Sequence, residues 1–281
     1  MKLSGKMAIL TGAGRGIGRV IAEEFAREGS TLALISRTRV ELEETLELVR
    51  NWSKDSFCEI CDISDPGAVK QLVRLVTERF GRVDILVNNA GIQSPIGPFA
   101  GVPLEAWKRA FEVNLFGTAN MTHAVLPCMV EQRSGKIINL SGGGATSARP
   151  NFSAYGVSKT AIVRFTETLA EELRQFHIDV NAVAPGVVKT RMLEEVLQAG
   201  SDAGDELAVA QKCNEAGGED PRIAAALIAF LASSEADGIT GKLISAIWDP
   251  WRDVIFQTAL RADRDLATLR RIDDRHFSAK Q

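Results

Sequence analysis

The chain has 281 residues, 45% of them hydrophobic and 25% charged, with a formal net charge of −3; that is enough to bury a full core as one α/β unit. No basic surplus points to nucleic acid or an anionic membrane surface, and no stretch approaches the roughly 20 apolar residues of a membrane span. Cys58, Cys61, Cys128 and Cys213 are too few for a disulfide framework at this size, and the apolar run in MKLSGKMAIL is too short for a secretory signal, so the expected setting is the cytoplasm.

Met7 to Leu10 reads as a short buried strand. Thr11-Gly12-Ala13-Gly14-Arg15-Gly16-Ile17-Gly18 follows, and a helical pattern then runs from Ile17 to Arg27. Glycines let a backbone approach a phosphate closely, and the helix N-terminus offers free N–H groups and the positive end of a dipole. A second strand, Thr31 to Ile35, ends in Ser36-Arg37-Thr38, and an amphipathic helix spans Val40 to Asn51. Phe57 to Cys61 is a third strand. Its Cys58-x-x-Cys61 spacing has no second pair to complete a metal site, and no metal is expected. Asp62-Ile63 comes next, and Asp62 can cap the helix that follows Ser64-Asp65-Pro66. That helix covers Ala68 to Phe80, and a buried strand, Val83 to Val87, delivers Asn88-Asn89-Ala90-Gly91. The carboxamides can tie neighbouring strands together, while Ala90 and Gly91 leave room for a ribose; asparagines at a strand end also serve as plain turn formers.

A helical pattern from Pro103 to Leu126 carries Asn114 in its middle, where asparagine is a poor helix former. The strand Ile137 to Leu140 opens into Ser141-Gly142-Gly143-Gly144, and a helix from Tyr155 to Phe176 begins with Tyr155 and Lys159. Residues four apart share a helix face. An ammonium beside a phenol favours the phenolate and makes the phenol a usable proton donor and acceptor. Val180 to Ala184 is a further strand leading to Pro185-Gly186-Val187-Val188-Lys189-Thr190. Residues 193–218 are rich in Ala, Gly and acids and weakly periodic. Ile223 to Leu231 reads as helix and Gly241 to Ala246 as the last strand. Strands alternating with helices predict one doubly wound parallel sheet with helices on both faces.

The Thr11–Gly18 loop, the Asn88–Gly91 run, Asn114, Tyr155-x-x-x-Lys159 and Pro185-Gly186, in this order and spacing, resemble the short-chain dehydrogenase/reductase family over about residues 5 to 245. The resemblance implies a Rossmann-fold NAD(P)-dependent oxidoreductase domain over residues 1–250. It implies a substrate lid at 193–218 and an assembly into homodimers or homotetramers. It assigns Tyr155, Lys159 and Asn114 to catalysis, Asn114 through a bound water. It places the cofactor against Gly12, Gly14, Arg15, Gly16, Ile17 and Gly18, against Asn89, Ala90 and Gly91, and against Pro185, Gly186, Val188 and Thr190. Asp62, beside Ile63, becomes a candidate partner for the adenine amino group. At the end of the second strand an acid would hold the 2′-hydroxyl of NAD. Ser36, Arg37 and Thr38 stand there instead, with Arg15 nearby, and two guanidinium groups suit a 2′-phosphate. NADP(H) is therefore expected over NAD(H), with a small carbonyl or alcohol compound as substrate.

Two features depart from the family pattern. The family's substrate-facing serine falls thirteen positions before the tyrosine, and position 142 is glycine. Neighbouring strand side chains face opposite ways, so Ser141 serves only if the glycine loop twists it into place; the glycine N–H groups or Ser153 are the other options. Ser141 is taken as the catalytic candidate. A weakened cofactor-binding protein, or a nicotinamide-dependent epimerase or dehydratase, are the alternatives to a carbonyl reductase. The second departure is the C-terminus. Trp248 and Trp251 can form a substrate wall, a subunit interface or plain core, and residues 251–281 read as a helix plus a docking arm with a weak basic cluster at 268–271.

Overall fold

Parallel strands buried on both faces appear in a sequence as unbroken apolar runs, and each such run forms a strand in the computed structural model, which describes residues 1–271. In chain order these are β1 Met7–Thr11, β2 Thr31–Ser36, β3 Phe57–Ile60, β4 Ile85–Asn88, β5 Gly135–Leu140, β6 Ile178–Ala184 and β7 Leu243–Ser245. They form one parallel sheet in the order β3-β2-β1-β4-β5-β6-β7, with registers such as Leu10 opposite Val87 and Asn88 opposite Asn139. The helices are α1 Gly16–Arg27, α2 Arg39–Arg50, α3 Pro66–Phe80, α4 Leu104–Phe111, α5 Thr118–Gln132, α6 Ser153–Leu173, α7 Arg191–Ala199, α8 Glu206–Ala216, α9 Pro221–Ala232 and α10 Val254–Ala262.

Alternation along the strands feeds two cores. Ala8 and Leu10 pack with Ile21 and Phe25 of α1, Leu42 of α2 and Leu227 of α9. Met7 and Ile9 face the other way, against Val73 of α3, Met121 and Val125 of α5 and Leu173 of α6. Both sheet faces are thus covered by helices.

Several boundaries and roles differ from the sequence expectation. The helix expected to stop at Leu126 runs on to Gln132 with Pro127 inside it, because Met121, Val125 and Met129 bury one face on either side of the proline and packing outweighs the lost backbone bond. Its Asn114 lies in a π-helical stretch, Glu112–Gly117, between α4 and α5. The cap of α3 is Asp65, whose Oδ1 accepts from Gly67 N at 2.8 Å and Ala68 N at 3.2 Å, so the capping role weighed for Asp62 belongs to its neighbour. The weakly periodic 193–218 stretch contains most of α7 and all of α8, with a 3-10 turn at Gly200–Ala203 between them.

The two tryptophans separate. Trp251 is core, packed on Phe230 with ring centroids 6.0 Å apart, and its Nε1 donates to Ala246 O; Trp248 is 83% exposed. Past α10 the chain lies along α6, where Leu269 N donates to Glu167 Oε1 at 2.6 Å and Arg164 Nη2 donates to Leu269 O at 2.6 Å. In the basic cluster Arg270 is engaged by Asp265 and Glu167. The rest of the expected docking arm, 272–281, lies outside the described residues. No described helix is long and apolar enough to cross a membrane.

Candidate active site

Between β1 and β4 the order of connections reverses, and the crevice outside the carboxyl ends of those strands is where an open α/β sheet binds its ligand. Thr11, which the sequence reading passed over, ties the two strand ends together. Its Oγ1 accepts from the N–H groups of Asn89 and Ala90, both at 3.1 Å, and Asn89 Nδ2 returns bonds to the carbonyls of Thr11 and Gly12. That closeness dictates glycine at position 12, where φ is +66° and a Cβ would stand 2.8 Å from Asn89 Nδ2. No side chain caps the first turn of α1, so its N–H groups are open to an anion.

A cleft of about 230 Å³ runs along this edge. It is lined by Gly12, Gly14, Arg15, Gly16, Ile17, Gly18, Ser36, Arg37, Thr38, Asp62, Ile63, Asn89, Ala90, Gly91 and Thr190, the greater part of the expected cofactor set, and by Glu41, Met192 and Glu195, which the sequence reading did not include. A dinucleotide fits this cradle on the structure's own terms. Glycine at 12 and 14 holds the loop close against Asn89 and Glu41, where a Cβ would stand 2.8 and 2.9 Å from them, and a Cβ on Gly91 would reach within 3.1 Å of Asn114 Oδ1 and 3.5 Å of Lys159 Nζ. Arg37 is exposed and has no ion-pair partner among the described residues, whereas Arg15 Nη1 donates to Glu41 Oε1 at 2.8 Å. The two guanidinium groups do not stand free together, as the sequence implied. Asp62 accepts from Ser64 N and Oγ and pairs with Arg109 Nη2 at 3.1 Å. Burial works to raise its pKa, but the Ser64 hydrogen bonds and the Arg109 charge win and hold the carboxyl below its usual range.

The other half of the site is built where β4 and β5 meet α6. Buried carboxamides link the strands: Asn88 Nδ2 donates to Asn139 Oδ1 at 2.9 Å, and Asn139 Nδ2 donates to Thr166 Oγ1. Asn114 is fully engaged with its neighbours. Its Oδ1 accepts from Ile92 N, and its Nδ2 donates to Ile92 O and to Ser158 Oγ, which in turn donates to Tyr155 O. The π-helical turn that presents it is a common device at functional sites. Tyr155 and Lys159 share a face of α6, 8% and 4% exposed, with Nζ 5.6 Å from the phenol ring centroid. Lys159 Nζ donates to Leu140 O at 2.7 Å, and burial pushes its pKa down to about 8. Burial raises the Tyr155 pKa, and the charge acting against that rise is that of Arg149, not the Lys159 charge the sequence led one to expect.

Position 142, not 141, faces the phenol. A Cβ on Gly142 would run into Tyr155 Oη and stand 3.2 Å from Cζ and 3.3 Å from Cε1. The buried Ser141 Oγ has no hydrogen-bond partner among the described residues, and Ser153 Oγ is taken by Trp107 Nε1 at 3.1 Å. Pro185, Gly186 and Val188 lie outside the cleft lining; the turn they form is closed by Ile247, 2.6 Å from a Cβ on Gly186, and by Glu219 N donating to Val187 O. Over Tyr155 sits a cover, in which Leu193, Val196, Ala203 and Ala210 pack with Phe152 and the tyrosine itself. Gln93 Nε2 donates to Met192 O and fastens the start of α7.

Residues 6–200 match the family model described as short chain dehydrogenase. The chain is 35% identical over 244 residues to dehydrogenase/reductase SDR family member 4 of Caenorhabditis elegans, covering 86% of this chain and 94% of that protein. Two solved structures superpose closely on it. Carveol dehydrogenase from Mycobacterium avium in complex with NAD does so at a TM-score of 0.78 and 27% identity, over 87% of this chain and 96% of that one. Gluconate 5-dehydrogenase from Burkholderia cenocepacia in complex with NADP and tartrate also does so at 0.78 and 27%, over 87% and 94%. The chain belongs to the short-chain dehydrogenase family, and it is an NAD(P)-dependent oxidoreductase.

Proposed function

We propose that this short-chain dehydrogenase interconverts a ketone and a secondary alcohol, uses NADP(H) in preference to NAD(H), and works as a homodimer or homotetramer. The observation that carries the reaction type is the buried pair on α6, with Tyr155 and Lys159 one turn apart at the sheet's carboxyl edge beside the room left by Gly91. When bound, the reduced nicotinamide supplies the hydride taken up by the carbonyl carbon.

This chain's residues do the rest. Tyr155 gives its phenolic proton to the carbonyl oxygen. Lys159, held on Leu140 O and titrating near 8, exchanges a proton at neutral pH and is placed to grip ribose hydroxyls. Asn114 and Ser158 fix the Ile92 loop against the first turn of α6 and so set the position of the phenol. Gly12, Gly14 and the first turn of α1 hold the pyrophosphate, and Thr190, which lines the cleft, the nicotinamide amide. The cover of α7 and α8 keeps water from the reacting atoms. Preference for NADP(H) is supported by Arg37 at the end of β2 and by the absence of an acid at positions 36 to 38.

Fluorescence titration of NADPH against NADH, on wild type and Arg37→Ala, tests the cofactor assignment. NADPH is expected to bind more tightly by about tenfold, a margin the substitution removes, since one charge-assisted hydrogen bond contributes about 1.5 kcal/mol or more. A win for NADH would make Arg37 a surface charge. A carbonyl screen with Tyr155→Phe as the inactive control tests the reaction; binding of neither nucleotide would overturn the reading.

A further inference from the structure

The loop from β5 to α6 carries a cation that the chemistry above does not use. The Arg149 side chain is 16% exposed, with its guanidinium carbon 3.8 Å from the Phe152 ring centroid and 5.9 Å from that of Tyr155. The side chain lies along the glycine loop: a Cβ at 143 would be in ordinary contact with Nη1 at 3.6 Å, and one at 144 would stand tight against Arg149 Cβ at 3.3 Å. The Phe152 ring it lies over belongs to an apolar cluster with Leu193, Val196 and Ala203. Its one hydrogen bond among the described residues runs from Nη2 to Glu206 Oε2, 2.7 Å away in the first turn of α8. A guanidinium withdrawn from water into such surroundings is expensive unless it is paired, and the pair here bridges the catalytic loop and the cover over Tyr155.

We propose that Arg149 is the anion-recognition residue of the substrate site, and that the carbonyl substrate carries a carboxylate which takes the place of Glu206 on the guanidinium. The proposal rests on the oxidoreductase reading. A planar guanidinium accepts a carboxylate through two parallel hydrogen bonds. Exchanging one carboxylate for another never leaves the cation bare. The exchange also releases α8 from the loop, so the ligand that needs the space beside Tyr155 loosens the contact that closes it. A neutral ketone has nothing to offer Arg149 and must compete with an intact ion pair.

Two measurements on the full chain decide the matter. The first is kcat/KM with NADPH for 2-, 3- and 4-oxo carboxylic acids against their methyl esters, on wild type, Arg149→Met and Glu206→Gln. Wild type is expected to prefer at least one acid over its ester by about tenfold to a hundredfold, the worth of a charge-assisted pair. Arg149→Met should bring that ratio toward one, and Glu206→Gln should lower KM for the acid. The second is calorimetry of benzoate and benzamide binding, which needs no turnover: benzoate should bind wild type, bind Glu206→Gln more tightly, and fail to bind Arg149→Met, with benzamide weak throughout. If no carbonyl compound is reduced but benzoate behaves in this way, the anion site stands and the oxidoreductase reading falls. If ketones and esters turn over with no preference for acids in wild type, or if benzoate binds Arg149→Met as it binds wild type, the anion site is wrong and the reading of the reaction survives. Glu206→Gln keeps the test open should Arg149→Met fail to fold, since unchanged benzoate affinity in that variant also overturns the proposal.

Discussion

Restoring a serine to position 142 should slow the enzyme rather than speed it. The family pattern places a hydroxyl there, so Gly142→Ser looks like a repair worth the 10² to 10³ in rate that one such donor typically supplies. The backbone says otherwise, because a Cβ at 142 is aimed at the Tyr155 hydroxyl and lies 3.2 Å from Cζ. The phenol must retreat by about 1 Å to restore ordinary contact. Tyr155 packs with Phe152, Leu193 and Val196, so such a retreat disturbs that cluster. A 1 Å misplacement of a reacting group costs about 10²-fold in rate, and overpacking of this kind costs about 1 to 3 kcal/mol in stability. Gly142→Ala, with the same Cβ and no hydroxyl, should match the serine variant. The assays are kcat/KM on a carbonyl compound reduced by wild type, thermal unfolding, and phenolate absorbance during alkaline titration. Tyr155 is the chain's single tyrosine, so that band reports it alone. A serine variant faster than wild type alongside a slower alanine variant would refute the argument.

Glu41→Gln should tighten NADPH by about threefold to fivefold and leave NADH unchanged, because it frees Arg15 from a partly exposed pair of about 1 kcal/mol or less; unchanged NADPH affinity would show that Arg15 takes no part. Lys159 sets a pH dependence of stability. Its pKa is about 8 in the folded chain against 10.5 when unfolded, so below pH 8 both states carry the proton and the burial cost is present in full. Between those values the unfolded chain binds more protons, and stability should rise with pH by up to about 3 kcal/mol from this group. Chemical denaturation from pH 7 to 10 on wild type and Lys159→Met checks this, and a rise of equal size in the variant would assign it to other groups.

What could be read from the sequence was what local chemistry dictates. The inner strands were visible as apolar runs because a parallel sheet is buried on both sides there, and the glycine loops because positions such as Gly12 admit no side chain; the edge strand β3 is only partly buried. Pairings set by the tertiary fold were not visible. Arg15 meets Glu41 across 26 positions and Arg149 meets Glu206 across 57, with no spacing in the sequence to announce either. The cap of α3 went to Asp65 rather than Asp62 by a shift of three residues, since both stand before the same proline. Residues 193–218 hid two helices because, apart from Leu193 and Val196 of α7 and Ala210 of α8, few residues there bury a side chain strongly. Their packing partner, Tyr155, lies on another element altogether.

The run of three glycines gains a meaning from its neighbours. Gly142 makes room for the phenol oxygen and Gly144, at φ +90°, for the backbone of Gly156, while the Arg149 side chain runs past Gly143 at ordinary contact distance. The phenol has two cations of different character nearby, Lys159 Nζ at 5.6 Å and the Arg149 guanidinium carbon at 5.9 Å from its ring centroid. Lys159, titrating near 8 through burial, supplies a charge that fades as the solution turns alkaline; Arg149 supplies one that does not, because a guanidinium keeps its proton at any pH an enzyme meets. The acid strength of Tyr155 then follows whatever anion sits on Arg149. Occupancy of that guanidinium, first by Glu206 and then by the substrate's carboxylate, damps its charge toward the phenol in both states, so the proton remains on Tyr155 until the carbonyl oxygen is in place to take it.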